Sequence, residues 1–256
     1  MAEPLLQDAG FRGSLDFCCQ RIDVEERMKY ELLGLLLASG LTLPSWAAAQ
    51  EKPAVVPVTK APFHLFTFQN ENMSLENVAV PAGRSTTYHF HDQDLFFVIT
   101  SGAKVKNQPL GKDPVDLDFK LGNVYFAYYT KTPAAHQIIN VDQTQLRLLG
   151  LGIVQPEAGR FTPSTRAAKY EVVMDNERVR AWRLKLNPGE AAPMVQQTAP
   201  GARFVIAGGS VVEKRPGKPD QPLELRNHDF MALPAEEHGL ENTGASPVEV
   251  VEVELK

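Results

Sequence analysis

The sequence predicts an all-β fold: two tandem antiparallel jelly-roll barrels preceded by a signal peptide. Three observations predict it. Turn formers are plentiful, with 18 glycines and 19 prolines, and the apolar runs between them are short, as in strands closed by tight turns rather than in long helices. The second half of the chain repeats the first. The N-terminal region is built differently from everything after it.

In that region, Lys29 follows Met28 and precedes an apolar stretch from Leu32 to Leu43, which Ala47, Ala48 and Ala49 close. Residues 28–49 therefore have the layout of a secretory signal peptide cleaved after Ala49, which implies a periplasmic or secreted protein. The same stretch is barely long enough for a membrane anchor. Ser39, Gly40, Thr42, Pro44 and Ser45 interrupt it, which argues against stable insertion. Residues 1–27 fit neither a signal nor a packed domain, and read as a start assigned upstream of Met28 or as a disordered segment. Both cysteines, Cys18 and Cys19, lie there, so the mature chain has no thiol and any metal is held by nitrogen and oxygen. Residues 1–49 contain 4 of the 26 basic and 7 of the 31 acidic side chains, leaving the rest close to neutral. Without a basic block, nucleic acid is excluded as the main partner.

Residues 50–62 hold three prolines and no helical periodicity, so they read as an extended arm. Two β-rich stretches follow, residues 63–154 and 169–256, joined by a turn-rich linker at 155–168. Strands are expected over 75–83, 95–105, 113–122 and 136–153, because apolar and polar residues alternate between turn formers. Their counterparts in the second stretch are 179–189, 203–212, 223–230 and 238–255. Gly83 and Gly102 stand 19 positions apart, as do Gly189 and Gly208. His136 and Asn140 are matched by His238 and Asn242. An internal repeat of this kind points to a duplicated barrel.

The residues with the most chemical content are His89, His91 and His136. On a strand, side chains alternate faces, so His89 and His91 point the same way. His136, from a later strand, can complete a set of imidazoles around one divalent metal. Asn140 is expected to hydrogen-bond a turn through its amide, and His238 to be a satisfied strand histidine rather than a ligand. His64 and His228 have no motif around them and receive no function. Most of the aromatics near the site are expected to pack in the core; Tyr128 or Tyr129 could donate a hydrogen bond to a bound ligand.

These residues resemble the two motifs of the cupin superfamily, in its two-domain (bicupin) form. Gly83 is followed after five residues by His89-Phe90-His91, and Gly102 closes the first motif; Gly122, Pro133, His136 and Asn140 carry the second. The resemblance covers both halves of residues 63–256. It implies a jelly-roll fold and a metal site at His89, His91 and His136. The family's glutamate ligand falls at position 95 or 96, where this chain has Leu95 and Phe96; Asp94 is one residue early and faces away. In the second half, the His-x-His positions become Val195 and Gln197, so that barrel is expected to be metal-free.

Three neutral imidazoles suit Fe, Mn or Zn, and by resemblance iron or manganese comes first. Two functions stay open: a metal-dependent, dioxygenase-like oxidoreductase acting on a small organic molecule, or a non-catalytic cupin that binds a small ligand or carbohydrate. Isomerase chemistry would need an acid–base pair that the sequence does not reveal. A bicupin carries its two-barrel contact within one chain, so either a monomer or a homodimer is consistent with the sequence.

Overall fold

The structure, a computed structural model, describes residues 53–155 and 157–256. The signal peptide, the upstream segment and both cysteines lie outside the described residues. Among the described residues there is no α-helix, and no helix long and apolar enough to cross a membrane. The repeat read from the glycine spacing is a repeat of whole barrels.

The first barrel contains β1 (Val55–Pro57), β2 (His64–Gln69), β3 (Met73–Val80), β4 (Tyr88–His91), β5 (Leu95–Ser101), β6 (Ala103–Pro109), β7 (Val115–Phe119), β8 (Val124–Ala127), β9 (Ala134–Asn140) and β10 (Leu146–Ile153). The second contains β11 (Glu171–Asp175), β12 (Val179–Leu186), β13 (Val195–Gln196), β14 (Gly201–Ala207), β15 (Gly209–Lys214), β16 (Gln221–Leu225), β17 (Phe230–Leu233), β18 (Glu237–Asn242) and β19 (Val248–Leu255). Each barrel is a sandwich of two sheets. In the first, the orders are β2-β3-β10-β5-β8 and β1-β4-β9-β6-β7; in the second, β11-β12-β19-β14-β17 and β13-β18-β15-β16. The orders correspond strand for strand, apart from β1, which the arm adds to the first barrel. The proline-rich arm is thus partly a strand, pairing parallel with β4 and followed by a 3-10 turn at Val58–Lys60.

Period-two alternation gives the central sheets two buried faces. Along β3, Met73 and Leu75 enter one apolar cluster while Val78 and Val80 enter another; along β14, Ala202, Phe204 and Ile206 point one way and Val205 the other. The shared cluster joins the barrels: Leu75, Phe96, Val98, Leu149 and Leu151 pack with Ala181, Phe204, Val251 and Val253. Phe96 and Phe204 meet there with ring centroids 6.0 Å apart. Burying a side chain of this size stabilises by roughly 1.5–3 kcal/mol, so this seam makes the two barrels one body. Asp94 adds an ion pair across it, 3.0 Å from the Arg178 guanidinium.

The duplication extends to the turns. Asn140 Nδ2 donates to the Val80 and Thr144 carbonyls while its Oδ1 accepts from the Asp142 amide. Asn242 does the same with Leu186, Ser246 and Gly244. Both asparagines are turn clamps, as their side-chain chemistry suggested.

Candidate metal centre

The three motif histidines meet because of one strand register. β4 pairs antiparallel with β9, setting His89 opposite His136 and His91 opposite Ala134. Period-two alternation returns His91 to the face of His89. The ring centroids stand 5.0 Å (His89–His91), 4.7 Å (His89–His136) and 5.2 Å (His91–His136) apart. Their ligand atoms all lie within 4.8 Å of one another, so the group could hold a metal ion.

Backbone and side-chain acceptors fix the tautomers. The carbonyl of Thr87 lies 2.9 Å from His89 Nδ1 and can only accept, so Nδ1 carries the proton and Nε2 keeps its lone pair. Asn107 Oδ1 does the same for His136 Nδ1 at 2.8 Å. Such partners orient metal-binding imidazoles and raise their basicity toward the metal. Burial lowers the pKa of all three rings. His136 is brought down to about 3 by burial and by His89 and His64, and His91 falls well below its ordinary value from burial and then its histidine neighbours. They are neutral at pH 7, the state that ligates metal.

Two further residues belong here, one that the sequence left without a function and one of the two tyrosines it offered. His64, at the start of β2, lies with its ring 4.6 Å from His89, so its lack of motif context was misleading. It follows Phe63, whose backbone adopts φ 69° while its ring packs against the first barrel's core. The second is Tyr129, which stacks on His91 at 4.5 Å and an interplanar angle of 14°. Tyr128 turns elsewhere, to Phe126 and Lys131. Asp94 is committed to Arg178 and to Thr130, whose amide donates to it at 2.8 Å, and so faces away from the histidines as expected.

A cleft of about 470 Å3 reaches the centre at His91, lined by the arm (Val55–Thr59), Phe66, Ser74, Glu76, Phe90, Leu95 and Gly152. Glu76 is the unexpected member. It is 3 % exposed, and its Oε2 has no hydrogen-bond partner among the described residues. Burial pushes its carboxyl up to about 7. It sits opposite Gly150 on β10, where a Cβ would come within 2.9 Å of both its Cγ and its Oε1. A glycine there is what leaves the carboxyl room. A glutamate between Leu75 and Val78 in β3, combined with two glycines in the run LRLLGLGI of β10, was the sequence signal for it.

The corresponding interior of the second barrel is filled by charge. Arg203, fully buried, bridges Glu213 at 2.8 Å and Glu252 at 2.7 Å. Arg166, from the 155–168 linker, is also buried; it pairs with Glu252, lies 2.8 Å from Glu254 and stacks 4.1 Å from the Trp182 ring. His238 Nε2 is 3.2 Å from Glu252, so His238 is a satisfied core histidine. Burial alone would raise the Glu252 pKa, but Arg203, His238 and Arg166 outweigh it and hold the group well below the usual range. Val195 stands opposite His238, where the first barrel has His89 opposite His136.

No sequence-family model matches the chain, and no curated protein sequence does. Solved structures match over most of the described residues. The chain superposes on AerE from Microcystis aeruginosa with a TM-score of 0.59 at 12 % identity, covering 80 % of this chain and 98 % of that one. A salicylate 1,2-dioxygenase from Pseudaminobacter salicylatoxidans gives 0.53 at 12 % identity over 75 % of each chain. An oxalate decarboxylase from Lactobacillus farciminis, solved with formate, gives 0.52 at 9 % identity over 75 % of this chain and 83 % of that one. The fold is the cupin jelly roll in its two-barrel form.

The buried carboxyl makes stability depend on pH in a stated direction. Unfolded, Glu76 ionises near 4.5; folded, at about 7. Between those values the folded state holds a proton the unfolded state has lost, so stability falls as pH rises, by about 3 kcal/mol in all. Glu76→Gln lacks this loss. Urea denaturation of both proteins at pH 5 and pH 8 should show the variant gaining on the parent by about that amount at pH 8. Parallel pH profiles would contradict it.

Proposed function

We propose that the first barrel binds one divalent metal, Fe, Mn or Zn, through His89, His91 and His136, and acts there on a small organic molecule as a dioxygenase-like oxidoreductase. The observation that carries this reading is the trio of neutral imidazoles, His89 and His91 buried and His136 half-buried, two of them with Nδ1 already engaged by Thr87 and Asn107. Three nitrogen donors fit a borderline divalent ion and leave coordination positions for other ligands. When bound, the metal supplies Lewis acidity and, if iron or manganese, a route to dioxygen chemistry. The chain's own residues do the rest. His89, His91 and His136 bind; Thr87 and Asn107 orient; Tyr129 stacks on His91 and holds its plane; Phe66, Phe90 and Leu95 exclude water from the cleft wall.

Two of the structural neighbours are named for enzymes of small carboxylic acids, salicylate and oxalate, which supports a small organic acid as the substrate class. The lack of a carboxylate at Leu95 or Phe96 favours the second reading, a cupin that binds a small ligand without turning it over. Oxygen uptake by the iron-loaded protein across a panel of aromatic and aliphatic carboxylic acids separates the two. Uptake supports the enzyme, and tight binding of a panel member without uptake supports the binding module.

Elemental analysis after loading should find one metal per chain in the parent protein and none held stoichiometrically by His89→Ala or His136→Ala. Asn107→Ala should weaken metal affinity about 10–100-fold by freeing the His136 ring. Stoichiometric metal in both histidine variants would sink the proposal.

Export belongs to the same reading, on the layout of residues 28–49. N-terminal sequencing of protein exported by its own host should begin at Gln50. A mature chain that begins at Met1 or Met28 would contradict it.

A further inference from the structure

Glu76 has no part in the three-histidine group, yet it is placed as a functional residue is. It is buried at the wall of the cleft that His91 also lines. Its Oε2 lacks a partner among the described residues, although leaving a buried carboxyl oxygen unbonded is costly. Two glycines of β10 make space around it. A Cβ at Gly150 would press on its Cγ and Oε1 at 2.9 Å, and one at Gly152 would lie 2.6 Å from Ser74 Oγ, the next inward-facing side chain on β3. Gly150 also adjoins Leu95, whose Cδ1 would lie 3.1 Å from that same Cβ. Glu76 thus reaches, from β3, the space beside the position where the sequence motif lacks its carboxylate.

The cleft contains no lysine or arginine among its lining residues. An anionic ligand entering it therefore meets only neutral donors, apart from the metal. A protonated carboxyl is such a donor, and burial is the force that keeps one protonated near neutral pH.

We propose that Glu76 Oε2 is the proton-carrying group of the site, donating a hydrogen bond to an anionic oxygen or nitrogen ligand at the three-histidine centre and exchanging its proton with that ligand. The proton leaves Oε2 for the ligand atom, the carboxylate keeps the charge, and the reverse step restores both. Among the titratable groups near it, Tyr129 feels its charge, and His91 and Asp92 share its cleft. In register, β2 and β10 place Phe66 and Gly150 opposite it, neither of which titrates.

This rests on the metal reading above, and the test separates the two. The probe is azide binding to the Co(II)-loaded protein, followed by the change in visible absorption from pH 5.5 to 8.5 (a range of about three units centred on neutrality). The parent should bind azide progressively more weakly, up to about tenfold per pH unit, as pH rises through the ionisation of Glu76 and the donor is lost. Glu76→Gln, a neutral isostere, should take up Co(II) equally and lose that dependence. Gly150→Ala, which displaces the carboxyl without changing its chemistry, should also take up Co(II) and weaken azide binding at pH 6. Identical azide profiles in the parent and Glu76→Gln, with Co(II) bound in both, would overturn the role of Glu76 alone. Failure of the parent to take up Co(II) would overturn the metal reading, and this proposal with it.

Discussion

The site depends on the pairing of β4 with β9. With His89 opposite His136, alternation places His91 on the same inward face, and three rings converge. A slip of one residue would turn His136 outward and dissolve the group. Several contacts hold the register. β1 pairs with the outer edge of β4, Thr86 accepts the Ile138 amide and donates its own to the Ile138 carbonyl, and Asn140 clamps the turn that ends β9. Behind the centre, Asn107 on β6 reaches the far nitrogen of His136. The metal-binding capacity is therefore a property of sheet geometry, prepared before any ion arrives.

Duplication makes the chemistry easier to see, because one scaffold carries two interiors. In the first barrel, β3 pairs with β10 so that Ser74 faces Gly152 and Glu76 faces Gly150. In the second, the matching pair of strands sets Arg180 against Glu254 and Trp182 against Glu252. Where the first barrel has two glycines and a cleft, the second has two carboxylates neutralised by Arg166 and Arg203. Burying such a network is costly unless every charge finds a partner, and here the guanidiniums take the space that an ion and a substrate would need. Division of labour follows: one barrel is open, and the other is a packed buttress that shares its outer sheet face with the first.

Much of this was legible in the sequence because it rests on local rules. The His-x-His spacing, the matched Asn140 and Asn242, the glycine intervals and the alternation along 136–153 each follow from strand period and turn chemistry. Position 94 reads correctly for the same reason, since alternation alone turns Asp94 away from the histidines. What was hidden needed contacts between distant segments. His64 and Glu76 lie on strands before the motif, and only the closed sandwich brings His64 beside His89 and Glu76 to the cleft that His91 lines. The arm at 50–62 reads as extended, but its parallel pairing with β4 joins segments more than thirty positions apart. Arg166 sits in a stretch of turn formers and small residues, and nothing in that composition shows a guanidinium sealing the second barrel.

The central claim is that one ion sits among His89, His91 and His136, and X-ray absorption at the metal edge of the loaded protein tests it most directly. The expected spectrum shows scattering from three imidazole rings, with the remaining positions filled by oxygen or nitrogen from solvent or ligand. A spectrum showing one imidazole or none, in a protein that still holds stoichiometric metal, would place the ion elsewhere and contradict it.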